Sequence, residues 1–237
     1  MTISGSRTAH LASSVTISQP TGKPNSTSSI APWLTKRTRT PSLHFVHESG
    51  MTEIVPQIGG MLAYYLLLGD NLKAFPKGFQ MLAGDSRLRN FSGPVPDLPT
   101  SSWGPEDTTQ ESLMQKSLGF NCLNYNRDPE GSRYRHFLPD KAFLDANCAN
   151  GIRAEIFFPS CWNGKDVAAA DHKSHMAYPN LIDGGSCPKG FETRLPSLFY
   201  ETIWNTDHFN GKPGQFVWSN GDPTGMCFLI CYLHQLT

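Results

Sequence analysis

The chain has 237 residues, enough for one large domain, with or without tails, whose fold buries roughly 70–75% of its unfolded surface. Twenty basic side chains balance 20 acidic ones and the pI is about 7.1, so no overall positive field draws the protein to nucleic acid or to an anionic membrane. With 21 Gly and 18 Pro as punctuation, the sequence favours strands joined by loops, and neutral partners such as glycans suit its charge better than charged polymers.

Residues 1–31 show no periodicity and are rich in Ser, Thr and Pro, and from Met1 to His47 there are five Lys or Arg residues and no acidic one. Such a start reads as a solvated tail. It lacks the apolar run of about 7–15 residues that a secretory leader needs. A single domain is expected over 32–225, starting near Trp33. The closing stretch 226–237, "MCFLICYLHQLT", reads as an atypical apolar tail, far short of the roughly 20 residues that span a bilayer.

Within the domain, "SLHFVHE" (Ser42 to Glu48) alternates in part and predicts a strand, and the apolar run "GGMLAYYLLLGD" (Gly59 to Asp70) predicts a strand buried on both faces. "GFQMLAGDSRL" (Gly78 to Leu88) is a third strand candidate, followed by the long irregular stretch "FSGPVPDLPTSSWGPEDTT". Helical spacing and a Ser or Thr cap predict a short helix in "TQESLMQKSLGF" (Thr109 to Phe120), with another turn or two in "LPDKAFLDANC" (Leu138 to Cys148). β-branched and aromatic content marks strands in "RAEIFFPSCW" (Arg153 to Trp162), "RLPSLFYETIW" (Arg194 to Trp204) and "GQFVWSNG" (Gly214 to Gly221), the last running into a turn at "NGDPTG". The expected fold class is mainly β: an antiparallel β-sandwich or jelly-roll-like architecture with a few short helices and long loops.

Of the six cysteines, Cys122, Cys148, Cys161 and Cys187 lie in the body of the chain and lack the close spacing of zinc sites. Disulfides are the better reading, and the expected bridges are Cys122–Cys148 and Cys161–Cys187, each worth about 3–4 kcal/mol of loop-closure entropy. Sequons at Asn25 and Asn90 agree with a secretory history.

Polar chemistry concentrates in three loops. In "DHKSHMAYP" (Asp171 to Pro179), His172 and His175 share a face if the preceding "DVAAAD" is helical, but a His-x-x-His pair without a third ligand is not read as a metal site. An acid–base reading needs only one histidine and an orienting carboxylate, Asp171 or Asp207, with Asp207–His208 as a second such pair. Asn220 and Asp222 in "SNGDPTG" could hold sugar hydroxyls, and Trp162, Tyr178, Trp204 and Trp218 flank these loops as stacking faces. The alternative is that Asp222 closes a turn, that His172 and Tyr178 satisfy loop carbonyls, and that the aromatics are core. No phosphate loop, dinucleotide fingerprint or Gly-x-Ser-x-Gly elbow is present, so no cofactor is expected.

The blocks "VPQIGGMLAYYL", "AFPKGFQMLAGDSRLRNFSG", "RAEIFFPSCWNGKD", "DHKSHMAYP", "RLPSLFYETIW" and "FVWSNGDPTG", in that order, resemble a fungal family of secreted proteins known as a domain of unknown function and often joined to WSC carbohydrate-binding domains. The resemblance implies an extracellular protein acting on, or attached to, cell-wall or plant-wall polysaccharide. It also implies Asp171, His172, Ser174, His175, Tyr178, Asp207, Asn220 and Asp222 as hallmark positions. The stretches before Trp33 and after Gly225 depart from the family pattern. Two functions follow as expectations: a polysaccharide hydrolase or lyase using His172 or His175, or a non-catalytic carbohydrate-binding or structural wall protein.

Overall fold

The computed structural model describes residues 14–17, 42–85, 87–91, 93–226 and 231–234, with 14–17 and 231–234 as backbone only. In chain order the strands are β1 (Ser14–Ile17), β2 (Leu43–His47), β3 (Thr52–Ile54), β4 (Gln57–Leu66), β5 (Gln80–Ala83), β6 (Leu118–Cys122) and β7 (Ile152–Phe157). They continue with β8 (Cys161–Trp162), β9 (Met176–Ala177), β10 (Thr193–Arg194), β11 (Ser197–Trp204), β12 (Gly214–Trp218) and β13 (Cys231–His234). Among the described residues there are two α-helices, α1 (Gln110–Lys116) and α2 (Lys141–Asn147). The fold is mainly β, every strand pairing is antiparallel, and the arrangement is consistent with a β-sandwich.

The main sheet has the order β1-β4-β11-β7-β6, and period-2 alternation gives it two different faces. Ile152, Ala154 and Ile156 of β7 share the inner face with Leu118 and Phe120 of β6 and Leu198 and Trp204 of β11. The β12-β2-β3 sheet adds Leu43, Phe45, Phe216 and Trp218 to the same core, where Trp218 meets Trp204 edge-on at 5.5 Å. Phe79, Met81, Ala83, Trp162 and Met176 close that core at the β5–β9 end. Each large side chain removed from water here contributes about 1.5–3 kcal/mol.

On the outer face, Leu113 of α1, Tyr178 and Ile182 pack on Phe157 and Phe199. Helix α1 forms there because Thr109 caps it by accepting from Ser112 N, with Glu111 in its first turn and Lys116 in its last. Asp140 caps α2 through Phe143 N. Both expected disulfides are present, Cys122–Cys148 and Cys161–Cys187.

Several local expectations are corrected. The run around β4 is not buried on both faces: Ala63 is its one buried position, because the strand lies next to the sheet edge. Its register with β11 shifts at Thr202/Ile203, where Gly59 and Gly60 take φ of 75° and 74°, a left-handed geometry that glycine adopts without strain. The expected single strand 153–162 is two, β7 and β8, separated around Pro159, which has no N–H for a ladder. The predicted helix 109–120 stops at Lys116 and gives way to β6.

The Ala-rich "DVAAAD" is not helical. The Asp171 carboxylate instead captures Lys173 N and Ser174 N, offering the backbone an alternative to a helix. The loop then lies along β5, with Gln80 N donating to Val167 O at 2.9 Å and Leu82 N to His172 O at 2.8 Å. Of the stretch expected as tail, 1–31, the described piece is β1, which pairs with β4; of 226–237 it is the buried Met226 and β13, which pairs with β5. The rest of both lies outside the described residues.

Candidate functional site

A cavity of about 380 Å³ opens where the end of β5, helix α1 and the 171–178 loop meet. Leu82 to Asp85 and Arg87 form one wall, Gln110, Glu111 and Met114 a second, and Asp171, Lys173, Ser174, Met176 and Tyr178 the third. Pro159 completes the lining.

Local bonding fixes most of these polar groups. Asp85 accepts from Arg87 N and Nε at 3.0 Å each and from Arg87 Nη2 at 2.7 Å. The Arg87 side chain, aided by the charge on Lys173, holds the Asp85 carboxyl down to about 2. Asp171 accepts from Lys173 N and Ser174 N, both at 2.9 Å, and from Ser174 Oγ at 3.0 Å. Its pKa is lowered to about 2, with the Ser174 backbone N–H as the largest cause. Lys173 Nζ donates to Gly84 O at 2.6 Å and so ties the loop to the end of β5.

On the helical side, Gln110 behaves like a strand neighbour of Tyr178: its Nε2 donates to Tyr178 O at 2.9 Å and its Oε1 accepts from Tyr178 N at 2.7 Å. The Tyr178 hydroxyl points inward, donates to Phe157 O at 3.0 Å and accepts from Ser117 Oγ at 3.2 Å. The cavity is thus framed by ionised carboxylates, two cations and an amide, with Met114 and Met176 as apolar patches.

The remaining residues singled out in the sequence lie elsewhere. His175 is 1% exposed, its ring 5.3 Å from that of Phe79, and burial depresses its pKa against the opposing effect of the Gln80 backbone. His172, at φ 53°, contributes its carbonyl to Leu82 and does not line the cavity. Trp162 donates Nε1 to Asp166 O at 2.8 Å and meets Phe79 edge-on, while Trp204 is buried and donates Nε1 to Thr202 Oγ1 at 3.0 Å.

Asp207 and His208 sit on the 3-10 turn Thr206–Phe209 at another part of the core, where His208 meets Phe209 and Phe209 stacks on Phe45 at 4.5 Å. Asp222 is 0% exposed and closes the "NGDPTG" turn, accepting from Thr224 N at 2.9 Å and Thr224 Oγ1 at 2.6 Å, while Asn220 Oδ1 accepts from Asp222 N. None of Trp162, Trp204, Asp207, His208, Asn220 and Asp222 lines the cavity.

The profile of the domain of unknown function DUF1996 matches residues 39–234. The chain belongs to the DUF1996 family. No curated protein and no solved structure matches it. The family match runs past Gly225 to include the strand β13.

This DUF1996 domain also carries a polar group that the sequence reading missed. On the outer face of the main sheet, Glu155 of β7 stands directly opposite Glu201 of β11. Arg153 Nε lies 2.6 Å from Glu155 Oε1 and 3.4 Å from Glu201 Oε1, so one guanidinium bridges two like charges. Glu155 is 0% exposed and accepts from Ser132 Oγ at 2.8 Å and Arg133 N at 2.9 Å; burial nevertheless raises its pKa. Tyr64, partly buried and bonded to Glu201, is pushed up to about 12.

Gly119 makes room for this arrangement, since a Cβ there would meet Glu155 Oε2 at 2.6 Å and Arg133 Cα at 3.0 Å. The signal in the sequence was one glutamate inside each largely apolar strand, "RAEIFF" and "LFYETIW". Among the described residues no group of three or more His, Cys, Asp and Glu could hold a metal, and no helix is long and apolar enough to cross a membrane.

Proposed function

We propose that this DUF1996 domain is an extracellular carbohydrate-binding protein whose β5–α1–171–178 cavity holds a neutral glycan unit. The observation that carries this reading is the alternation of fixed acceptors and donors around one concavity: Asp85 and Asp171 kept ionised, with Lys173, Arg87 and Gln110 between them. Neutral polyols are recognised by such preset acceptors and donors placed beside apolar patches, here Met114 and Met176. A chain without net charge suits a neutral ligand, the two disulfides suit an oxidising compartment, and the likeness to wall-associated fungal proteins supports a polysaccharide as the source of the glycan.

The hydrolase or lyase reading is the weaker one. It asks His172 or His175 to exchange protons with substrate, and neither faces the cavity. Two of the three wall carboxylates, Asp85 and Asp171, are held ionised far below neutral pH, which suits accepting hydroxyls and not donating a proton.

Isothermal titration with oligosaccharides from fungal and plant walls, run beside an assay for released sugar, tests the choice. Binding that survives His172→Ala, weakens about ten-fold in Asp171→Ala and releases no sugar supports the binding protein. Sugar release that disappears in His172→Ala would establish the enzyme instead.

A further inference from the structure

The Cys161–Cys187 bridge closes the loop that carries the cavity's third wall, and a buried cation lies against it. Arg194 of β10 is 6% exposed, and its Nη1 lies 3.8 Å from Cys161 Sγ and 3.7 Å from Cys187 Sγ. Its other partners are carbonyls: Nη2 donates to Asp183 O at 2.7 Å and Nη1 approaches Gly185 O at 3.4 Å. Among the described residues no carboxylate forms an ion pair with it, and the Asp183 carboxylate pairs with Arg133 at 3.7 Å. Gly69 covers its stem, since a Cβ there would lie 3.4 Å from Arg194 Cγ. A guanidinium whose contacts are carbonyls, with the Asp183 charge acting on it only from beyond ion-pair distance, stabilises whichever of the two adjacent sulfurs takes up negative charge.

The two sulfurs differ in access. Cys161 is fully buried in β8, whereas Cys187 is partly exposed and follows the exposed Ser186. At the other bridge, Glu130 accepts from Cys122 N at 2.6 Å and pairs with Arg135, so the charge beside that disulfide is balanced.

We propose that Cys161–Cys187 is a thiol-exchange site whose substrate class is thiols and dithiols, with Cys187 Sγ as the attacked sulfur and Arg194 as a positioning residue for the leaving thiolate. An incoming thiolate forms a bond to Cys187 Sγ, the Cys161–Cys187 bond breaks, and its electron pair leaves on Cys161 Sγ beside Arg194. The second sulfur of a dithiol then attacks the mixed disulfide, releasing Cys187 as a thiolate and closing the dithiol to its own disulfide. Two electrons pass from the dithiol to the bridge.

The test treats the full chain with limiting dithiothreitol, quenches with an alkylating agent and maps the labelled cysteines by mass spectrometry. A parallel sample with 2-mercaptoethanol locates the mixed-disulfide adduct. Cys161 and Cys187 are expected to label about ten-fold faster than Cys122 and Cys148, consistent with a better leaving thiolate, with the adduct on Cys187. Arg194→Met should slow opening of this bridge while leaving the rate at Cys122–Cys148 unchanged, and Arg194→Lys, which keeps a cation, should restore it. Equal rates at both bridges, an adduct on Cys161, or an unchanged rate in Arg194→Met overturns the proposal. If Arg194→Met does not fold, the adduct position and the rate ratio in the unaltered protein decide.

Discussion

Two parts of this molecule carry the same kind of polar sequence and put it to opposite uses. In "DHKSHMAYP" the carboxylate of Asp171 turns the chain back on itself and the loop borders an open cavity. In "NTDHFN" and "SNGDPTG" the similar density of Asp, Asn and His is consumed in closing turns against the core, with Asp222 entirely buried and His208 against Phe209. Polar density therefore marks where a loop must satisfy its own backbone. The cavity lies where three elements meet, β5, α1 and residues 171–178.

The sharpest way to break that contrast is Asp222→Ala. Removing a buried acceptor that serves both Thr224 N and Thr224 Oγ1 should cost about 2–4 kcal/mol in denaturant unfolding, with no specific loss of glycan binding in the folded fraction. Gly119→Ala comes next, because its Cβ would press on Glu155 and on the Arg133 backbone; a loss of about 1–3 kcal/mol is expected in the same measurement.

Asp171→Ala acts on the other region. Glycan affinity should fall about ten-fold, or 1.4 kcal/mol, while the midpoint of unfolding moves less than in Asp222→Ala. A mutant that loses stability to the same extent as Asp222→Ala would show that the two loops are not different in kind.

Acid titration separates these regions from the outer face. Asp85 and Asp171 have folded pKa values below their ordinary 3.8, at about 2, so the stability they contribute is present above 3.8 and lost as pH falls toward 2. Glu155 has the opposite sign: its folded pKa is raised above 4.5, so its contribution is complete below 4.5 and is lost as pH rises through the folded value. Glu155→Gln should flatten the stability profile above pH 4.5, and Asp171→Asn should flatten it below 3.8, both read by urea unfolding across pH. The smallest effect belongs to His208→Ala, which removes one edge contact to Phe209; glycan affinity should not change in titration calorimetry.

Much of the fold was legible because its signals are local. Partial alternation located β2, β-branched and aromatic content located β7, β11 and β12, a Ser or Thr cap located α1, and the body cysteines paired as expected. The site was legible only in part. Asp171, Ser174 and Tyr178 do border the cavity, yet His175 was sent into the core and Trp162 and Trp204 were packed there too, because burial of a ring depends on what lies across the sheet.

Arg87, Lys173 and Gln110 went unremarked, since what places them is contact between segments distant in the chain: Gln110 with Tyr178, Lys173 with Gly84. Glu155 and Glu201 were hidden for the same reason. Their pairing follows from the β7–β11 register, which no single strand carries.

The most direct test of the central claim is titration calorimetry of wall-derived oligosaccharides against the unaltered protein, Asp171→Ala and Asp207→Ala, with reducing sugar measured on the same samples. The cavity account predicts binding to the unaltered protein and to Asp207→Ala, about ten-fold weaker binding to Asp171→Ala, and no sugar released. Equal affinity in Asp171→Ala, or its loss in Asp207→Ala, would contradict it.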